Sequence, residues 1–315
     1  MARAVVTGAS GFVGANLARR LLADGHEVHL LLRDGQARWR LDGLAGHVAI
    51  HPVDLADGAA TETALRAIRP ERVFHLAAHG AYSWQTDLAS MTAANVTGTM
   101  NIARAVLASG AAVMVNTGSS SEYGLKDHAP DEDEAIEPNS AYAVTKAAGT
   151  LFCRMTARAS GVPMPTLRLY SIYGPWEEPG RLVPDLLRAA MRGAWPPLAD
   201  PSIARDFVHV DDACDAYLRA AAGPHADPGA VWNVGSGVQT TLREMVETVR
   251  HLLPVAAEPA WGSMPNRGWD TTVWVSDPRR IAADLGWRAT TTLDEGLRRT
   301  IAWIAEHPEA PSSRL

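Results

Sequence analysis

The sequence is poor in cysteine and has no excess of positive charge. Its 315 residues include two cysteines, Cys153 and Cys214, which lie far apart and in no spacing typical of metal ligands. We interpret both as small buried hydrophobic residues of a reducing compartment and predict no metal site. With 29 basic and 35 acidic residues, the net charge is −6. Because nucleic acids and anionic membranes bind basic surfaces, the sequence argues against both kinds of partner.

Long apolar runs are also missing. No stretch approaches the roughly 20 apolar residues that a membrane-spanning helix needs. The sequence opens with MARAVVTGASG, so only about six residues precede a glycine-rich turn, and no signal peptide is predicted. Together these observations predict a cytoplasmic protein.

Short apolar runs alternate with helical patterns along the first half of the chain. Six of these runs are predicted strands, with helices such as NLARRLLADG and NVTGTMNIARAVLASG between them: RAVVTG, HEVHLLLR, VAIHPVDL, RVFHLAA, AVMVNTGSS and PMPTLRLYSIYG. The alternation predicts an α/β fold with a Rossmann-like, doubly wound parallel sheet covered by helices on both faces.

The character of the sequence changes near residue 175, where prolines, tryptophans and short elements begin to dominate. This change predicts a smaller, mixed α/β lobe that binds substrate. We assign residues 1–174, with a returning segment of about 205–235, to a dinucleotide-binding domain. The substrate lobe would then comprise 175–204 and 236–315. The acidic segment DHAPDEDEAIEP (127–138) is interpreted as a solvated loop.

A glycine-rich turn follows the first strand. GASGFVG has the spacing G-x-x-G-x-x-G, which allows a tight turn, close approach of a pyrophosphate and close packing of helix on strand. The free N–H groups of the next helix would then face the phosphates. The predicted cofactor contacts in this turn are Gly8, Ser10, Gly11, Phe12, Val13 and Gly14.

The end of the second strand favours NADP over NAD. An acidic residue there would bind the ribose 2′-hydroxyl of NAD, whereas this chain has LLLRDG with Arg33 first. An arginine can hold the 2′-phosphate of NADP, and Arg38 and Arg40 lie near enough in sequence to help. The alternative is that Asp34 binds the ribose of NAD. Asp54 and Leu55, after the third strand, are placed at the adenine edge, although Asp54 could equally be a turn residue.

A tyrosine and a lysine share one face of a predicted helix. Tyr142 and Lys146 are four residues apart in NSAYAVTKAAG. A free tyrosine has a pKa near 10, and a neighbouring ammonium is expected to lower it by ~1–3 units, which would make the phenol a usable acid and base. Ser119, Ser120 and Ser121 end the preceding strand at the carboxyl edge of the sheet, where ligands bind in such folds. Their hydroxyls could share a proton with the tyrosine across a carbonyl oxygen, which indicates hydride chemistry on a carbinol or ketone.

The motifs TGASGFVG, HLAA, NVTGT, SSSEYG, YAVTK, RDFVHVDD and NVGSG, in this order, resemble the extended short-chain dehydrogenase/reductases that act on nucleotide sugars. The resemblance implies that Tyr142 is the acid/base and that Lys146 binds the nicotinamide ribose. It implies Ser119 as the catalytic serine, with Ser120 a close second. The remaining implied contacts are Leu76, Ala77, Ala78 and Asn95 to the cofactor, and Arg205 and Arg267 to a substrate diphosphate.

The same resemblance implies structural roles for Asp206 and Asp211, and a homodimer formed through the NVTGT and Tyr142 helices. Ser171 stands where several relatives have an asparagine that contacts the diphosphate. The stretch HGAYSWQTD would shape the sugar pocket with Tyr82, Trp84 and Gln85, although Trp84 could equally be a packing residue. Ser121 is placed beside the sugar.

Three chemistries share this scaffold. A 4,6-dehydratase of the family has an Asp-Glu pair after its catalytic residue, but Ser120 and Ser121 occupy these places and cannot supply carboxyl chemistry. Arg33 favours NADPH and therefore the reduction of an NDP-4-keto-(6-deoxy)hexose. The alternative is a nucleotide-sugar 4-epimerase that retains NAD. An alternative of another class is a non-catalytic redox sensor that binds a protein partner.

Overall fold

The structure, a computed structural model, describes residues 1–311. Two sheets organise this part of the chain. Their strands are β1 (Arg3–Thr7), β2 (Glu27–Leu32), β3 (Ala49–Pro52), β4 (Arg72–His75), β5 (Val113–Ser119), β6 (Thr166–Leu169), β7 (Ser171–Tyr173), β8 (Ala204–His209), β9 (Val231–Val234) and β10 (Gln239–Thr241).

The large sheet has the order β3-β2-β1-β4-β5-β6-β9, and all of its neighbouring strands are parallel. The small sheet has the order β10-β8-β7, with β8 antiparallel to β10 and parallel to β7. The strand order of the large sheet reverses between β1 and β4, and ligands of such sheets bind at the carboxyl ends of the strands beside this point. The predicted doubly wound parallel sheet is confirmed.

Ten α-helices are found in the described part of the chain: α1 (Phe12–Ala23), α2 (Gly58–Ile68), α3 (Leu88–Met91), α4 (Thr99–Ser109), α5 (Ala141–Ser160), α6 (Leu182–Ala190), α7 (Val210–Ala222), α8 (Leu242–Leu252), α9 (Arg279–Leu285) and α10 (Leu293–Glu306). Local sequence sets the ends of α5: the Ser140 side chain accepts a hydrogen bond from the N–H of Ala143, and Gly161 ends the helix with a φ of 76°. None of the helices between residues 1 and 311 is long and apolar enough to cross a membrane.

Apolar side chains cover both faces of the large sheet. One face packs against α1 and α7, with Leu17, Leu21 and Tyr217 in its core. The other packs against α2, α4 and α5, with Ile102 and Cys153 among its buried residues. A third cluster joins α6, α8 and α10 beside the small sheet. Cys153 and Cys214 are both buried and unpaired by disulfide, as predicted from their sequence positions.

The predicted sixth strand is divided between the two sheets. Thr166–Leu169 pairs with β5 and β9, whereas Ser171–Tyr173 pairs with β8. The division falls at Tyr170, where the N–H still binds the carbonyl of Val234 but the next strand already leaves the large sheet. Sequence pattern could not show this, because PMPTLRLYSIYG is apolar on both sides of the break.

The interpretation of 127–138 as a solvated loop is wrong for part of its length. Glu132 is buried, accepts a hydrogen bond of 2.8 Å from the N–H of Asn233, and lies 3.3 Å from Arg280. Asp133 also forms an ion pair with Arg280. The acidic segment therefore ties the end of β9 to α9, because its carboxylates find N–H and guanidinium donors there.

Candidate active site

The glycine-rich turn packs directly on the end of β4. A Cβ at Gly8, where φ is 71°, would lie 2.6 Å from the backbone nitrogen of Ala77, and a Cβ at Gly14 would lie 2.4 Å from the carbonyl oxygen of Gly8. The N-cap of α1 is Gly11, which offers no side chain to the first N–H groups of the helix. These donors suit an anion, so the turn fits the pyrophosphate of a dinucleotide.

Thr7 and His75 lock the ends of β1 and β4 together. The Thr7 hydroxyl accepts hydrogen bonds of 3.2 Å from the N–H groups of Leu76 and Ala77, and it lies 2.8 Å from His75 Nδ1. Burial, followed by the positive charge of Lys146, lowers the pKa of His75 to about 3, so its ring is neutral. Leu76, Ala77 and the exposed Ala78 thus form a fixed border of the cleft.

Asn95 lies in a π-helical segment, Thr92–Gly98, between α3 and α4. Its amide nitrogen donates to the carbonyl of His79 at 2.7 Å and to the Thr145 hydroxyl at 2.9 Å, and its oxygen accepts from the N–H of His79 at 2.8 Å. The side chain therefore braces the loop after β4 against α5. Such π segments occur often at functional sites, but the sequence NVTGT predicts an ordinary α-helix.

Arg33 and Arg40 have different environments at the end of β2. Arg33 is exposed, and no hydrogen bond or ion pair of its side chain is found within residues 1–311. Arg40 is buried, with Nε donating to the Trp176 carbonyl at 2.7 Å and the guanidinium pairing with Glu178. The expectation that Arg40 helps to hold a cofactor phosphate is therefore wrong, because protein acceptors already occupy it.

Asp54 stabilises the turn after β3, which is one of the two roles that its sequence position allowed. Its carboxylate accepts a hydrogen bond of 3.0 Å from the N–H of Ala56 after β3. The neighbouring Leu55 is partly buried, and its carbonyl accepts from the Asn101 side chain at 2.8 Å. Ser10, in the glycine turn, donates to Gln36 at 2.7 Å. These contacts bring the ends of β2 and β3 to the same sheet edge as the turn.

Ser119 and Tyr142 meet at the carboxyl edge of the sheet. The Ser119 side chain acts as a hydrogen-bond partner that lowers the pKa of Tyr142, which lies in the first turn of α5. Ser120 instead lines a separate small cavity of about 10 Å³ with Tyr123, Tyr170 and other residues. The Ser119 Oγ also accepts a hydrogen bond of 3.2 Å from the Ser121 N–H.

The pKa of Tyr142 does not move in the expected direction. Burial raises it, and the charge of Glu122 raises it further, while Ser119 and Arg181 act in the opposite direction. Burial also lowers the pKa of the Lys146 ammonium, against the effect of Glu122. The expectation that Lys146 lowers the pKa of the phenol is wrong for the protein chain by itself, because loss of solvent outweighs the neighbouring charges.

The charges of Arg181 and Arg267 act on Arg205 of β8. Arg205 forms an ion pair of 2.9 Å with Asp270, whose carboxylate also accepts from the Arg267 N–H at 2.8 Å. Burial lowers the pKa of Arg205, Asp270 opposes this, and the charges of Arg181 and Arg267 lower it further. Mutual repulsion of this kind marks a place suited to an anionic ligand.

Sequence reasoning missed Arg181, which precedes α6 in EEPGRLVP. Its guanidinium lies 3.6 Å from Glu177 and 5.9 Å from the ring centre of Tyr82, and its charge acts on Tyr142. Tyr82 is stacked on Trp84 with ring centres 4.6 Å apart, and burial raises its pKa to about 12. The loop after β4 therefore reaches the loop after β7. Ser171, at the start of β7, is partly exposed.

Asp206 and Asp211 bind partners that join separate segments of the chain. The buried Asp206 carboxylate accepts hydrogen bonds from Ser236, Gly237 and Ser276 and so joins three segments. Asp211 pairs with Arg299 at 3.1 Å. Both contacts agree with the structural roles implied for these residues.

Comparisons with known proteins point to one family. The family model described as "NAD dependent epimerase/dehydratase family" matches residues 4–235. The chain is 33% identical to UDP-glucose 4-epimerase of Mycolicibacterium smegmatis, over 96% of this chain and 98% of the relative. It is 30% identical to dTDP-glucose 4,6-dehydratase of Streptomyces griseus, over 96% and 94%. MoeE5, solved in complex with UDP-glucuronic acid and NAD, matches with a TM-score of 0.84 and 29% identity, over 96% and 99%.

Proposed function

Because the chain belongs to the NAD-dependent epimerase/dehydratase family, whose members are enzymes of the extended short-chain dehydrogenase/reductase type, we propose that it acts at C4 of a nucleotide-activated sugar with Tyr142 as acid/base. The observation that carries this proposal is that the Ser119 side chain acts on Tyr142 as a hydrogen-bond partner, while Ser119 ends β5 and Tyr142 lies in the first turn of α5. When bound, a nicotinamide dinucleotide supplies hydride transfer at its ring. The glycine turn, the end of β4 and Lys146 would hold it.

The proton of Tyr142 has a defined role in the net reduction that we propose. A phenol whose pKa lies above its usual range is protonated at neutral pH, so Tyr142 can donate its proton to the oxygen of a 4-keto sugar. Ser119 would bind the same oxygen. Arg181, Arg205 and Arg267 would neutralise the charge of the diphosphate, which guanidinium groups bind well. We therefore propose an NDP-4-keto-(6-deoxy)hexose as substrate.

Two further features support a reductase that uses NADP. Arg33 is exposed at the end of β2 with its donors available for a 2′-phosphate. Dehydration needs a carboxyl group after the catalytic serine, but Ser120 and Ser121 are hydroxyl residues. The next residue, Glu122, is buried in an ion pair with Arg168 and cannot reach a sugar.

A second candidate function is 4-epimerisation with retained NAD. The similarity to the UDP-glucose 4-epimerase of M. smegmatis favours it, as does the NAD in the complex of MoeE5. An epimerase oxidises C4 and then reduces it from the other side, so Tyr142 would first accept and then return a proton. Arg33 would then leave the ribose of NAD to Asp34.

Mass spectrometry of the nucleotides released from freshly purified, denatured protein separates the two candidates. The reductase predicts little bound cofactor and consumption of NADPH at 340 nm with a UDP- or dTDP-4-keto sugar. The epimerase predicts stoichiometric NAD and conversion of a UDP-sugar to its C4 epimer with no net change at 340 nm. The second result would overturn the proposed reduction.

Replacement of Tyr142 by phenylalanine tests the catalytic assignment common to both candidates. Tyr142→Phe should abolish turnover and leave dinucleotide affinity unchanged, because only the acidic hydroxyl is lost. Tyr173→Phe is the matched control, since the Tyr173 hydroxyl faces the carbonyl of Leu293 on the other side of the small sheet. An unaltered rate in Tyr142→Phe would refute the assignment, whereas absence of turnover in the wild type would leave the redox sensor as the remaining proposal.

A homodimer through α4 and α5 forms part of the proposal. Leu107 on α4 is exposed, and Val144, Leu151 and Met155 form an exposed stripe along α5. Apolar stripes of this kind commonly mark interfaces. Leu151→Glu combined with Met155→Glu should convert a dimer to a monomer in sedimentation velocity, whereas Val238→Glu, at an equally exposed site outside both helices, should not. A wild-type monomer would end this part of the proposal.

A further inference from the structure

A buried carboxylate lies directly beneath the proposed catalytic residues. Glu122, in the turn after β5, has no exposed surface. Its Oε1 accepts hydrogen bonds of 2.9 Å from the Ser119 N–H and from the Thr150 hydroxyl, and its Oε2 accepts one of 2.9 Å from Arg168 Nε. The Arg168 side chain is itself only 5% exposed. The reaction outlined above uses neither charge.

A gain in folding stability does not by itself explain the buried ion pair of Glu122 and Arg168. Removing two charges from water costs several kcal/mol per ion, and apolar residues of the same size often stabilise a core equally well. Arg168 Nη1 is buried without a hydrogen-bond partner, so the hydrogen-bonding capacity of the pair is not fully used. We propose that Glu122, held by Arg168, is a positioning residue that fixes Ser119 toward Tyr142 and supplies the counter-charge of the buried Lys146 ammonium. This proposal rests on the proposed function, since it takes Tyr142 as the acid/base.

Glu122 and Ser119 bind each other's turn through the backbone. Glu122 binds the Ser119 N–H, while Ser119 Oγ accepts from the Ser121 N–H, so the two residues cap the same short turn, Ser120–Tyr123, reciprocally. The serine is thereby held at both its N–H and its hydroxyl. One lone pair and the proton of the hydroxyl remain for Tyr142 and a substrate oxygen.

Glu122 is also the carboxylate that acts on the buried Lys146 ammonium. Lys146 is 4% exposed, and no hydrogen bond or ion pair of its ammonium is found within residues 1–311. Burial lowers its pKa, and Glu122 is the carboxylate that acts against this change. The other groups that face it are the neutral His75 of β4 and the Cys153 thiol of α5. Without Glu122, the ammonium would have no anionic side chain near it and would lose its proton more readily.

The experiment measures the two pKa values directly in the full chain. The sequence contains only two lysines, Lys126 and Lys146, so NMR of ¹³C-lysine protein gives two side-chain signals, which Lys126→Arg assigns. Six tyrosines give six signals from ¹³Cζ-tyrosine protein, and Tyr142→Phe assigns the one of interest. The test variant is Glu122→Val combined with Arg168→Met, which removes both charges and leaves neither buried alone. Thr150→Val is the matched control, because it removes one hydrogen bond of Glu122 and keeps its charge.

The pKa of Lys146 should fall by about one unit or more in the double variant, the size of shift expected from loss of a nearby opposite charge. The pKa of Tyr142 should fall as well in Glu122→Gln, which keeps an acceptor for the Ser119 N–H, because the charge of Glu122 raises that pKa while Ser119, Arg181 and the buried Tyr217 of α7 stay in place. Thr150→Val should alter both much less.

Unchanged pKa values for Lys146 and Tyr142 in a folded double variant would overturn the proposal, since a merely structural pair alters stability and not proton affinity. If the double variant does not fold, Glu122→Gln gives the same test: it keeps an acceptor for Ser119 and removes the charge. Neither measurement uses substrate or turnover. The proposal on Glu122 can therefore fail while Tyr142→Phe still abolishes activity. Equally, Tyr142→Phe can leave activity intact while the pKa values still respond to the loss of Glu122.

Discussion

Replacing Gly14 with alanine should separate the steric demands of the glycine turn from its backbone conformation. Gly14 lies in the first turn of α1 and, unlike Gly8, has no positive φ, so alanine can adopt its backbone geometry. Its Cβ, however, would lie 2.4 Å from the carbonyl oxygen and 2.8 Å from the carbonyl carbon of Gly8. Both atoms belong to the backbone and cannot rotate away as a side chain could. The start of α1 must therefore move away from the turn by about 1 Å to restore an ordinary contact.

The expected cost has two parts. Overpacking of a well-filled site costs about 1–3 kcal/mol of unfolding free energy. The same displacement moves the free N–H groups of α1 away from the position that a pyrophosphate needs. Loss of even one hydrogen bond to a charged group costs about 1.5–3 kcal/mol, so the dissociation constant for dinucleotide should rise about 10- to 100-fold.

Two assays check this prediction for Gly14→Ala. Urea denaturation gives the unfolding free energy, and isothermal titration calorimetry with NADPH and with NAD gives the affinity. Gly268→Ala is the matched control, because a Cβ at Gly268 meets no atom within 4 Å and φ is not positive there. If Gly14→Ala binds dinucleotide with the wild-type affinity, the close packing at this turn does not position the phosphate donors, and the reasoning fails.

Two further predictions concern the loop between β7 and α6. Burial raises the pKa of Glu177 to about 7 from an ordinary value of 4.5, so the native state binds a proton more tightly than the unfolded chain and loses stability as pH rises from about 4.5 to 7. Glu177→Gln should remove this loss of stability. The variant should be more stable than the wild type at pH 8, by up to about 3 kcal/mol at 1.36 kcal/mol per pKa unit, but not at pH 4. If denaturation shows no such difference between the two pH values, the raised pKa of Glu177 is contradicted. Arg181→Ala should weaken binding of UDP or dTDP about 10- to 100-fold in calorimetry, because one guanidinium near the diphosphate is lost. The exposed Arg192→Ala should bind normally, and equal affinities in the two variants would remove Arg181 from the proposed site.

The fold was largely predictable because strand and helix periods are local properties of sequence. The glycine turn, the alternating elements and the apolar central strands together allow few arrangements other than a doubly wound sheet. The division of the sixth strand at Tyr170 was not predictable. It depends on two distant partners, β9 and β8, which take up neighbouring segments of one apolar run.

The placement of Tyr142 and Lys146 on one helix was predictable, but the electrostatics of the two side chains were not. The spacing of Tyr142 and Lys146 places both on one helix face regardless of the rest of the fold. The pKa of Tyr142 depends instead on burial and on Glu122 and Arg181, which come from other elements. The same reason explains why Arg181 was missed. Nothing in EEPGRLVP distinguishes this arginine until the loop is placed beside Tyr82 and Arg205.

The charge of the cleft shows why net charge is a limited guide to ligands. A chain with a net charge of −6 is a poor binder of extended polyanions, yet the pKa of Arg205 is lowered mainly by burial and further by the charges of Arg181 and Arg267. A compact ligand with two phosphate charges relieves that repulsion within a few ångströms, where local groups outweigh distant ones. Asp270 and Glu177 hold two of these guanidiniums in place and leave part of their charge uncompensated. On these electrostatic grounds we expect the proposed site to favour a small diphosphate ester over a nucleic acid, as a nucleotide-sugar enzyme would require.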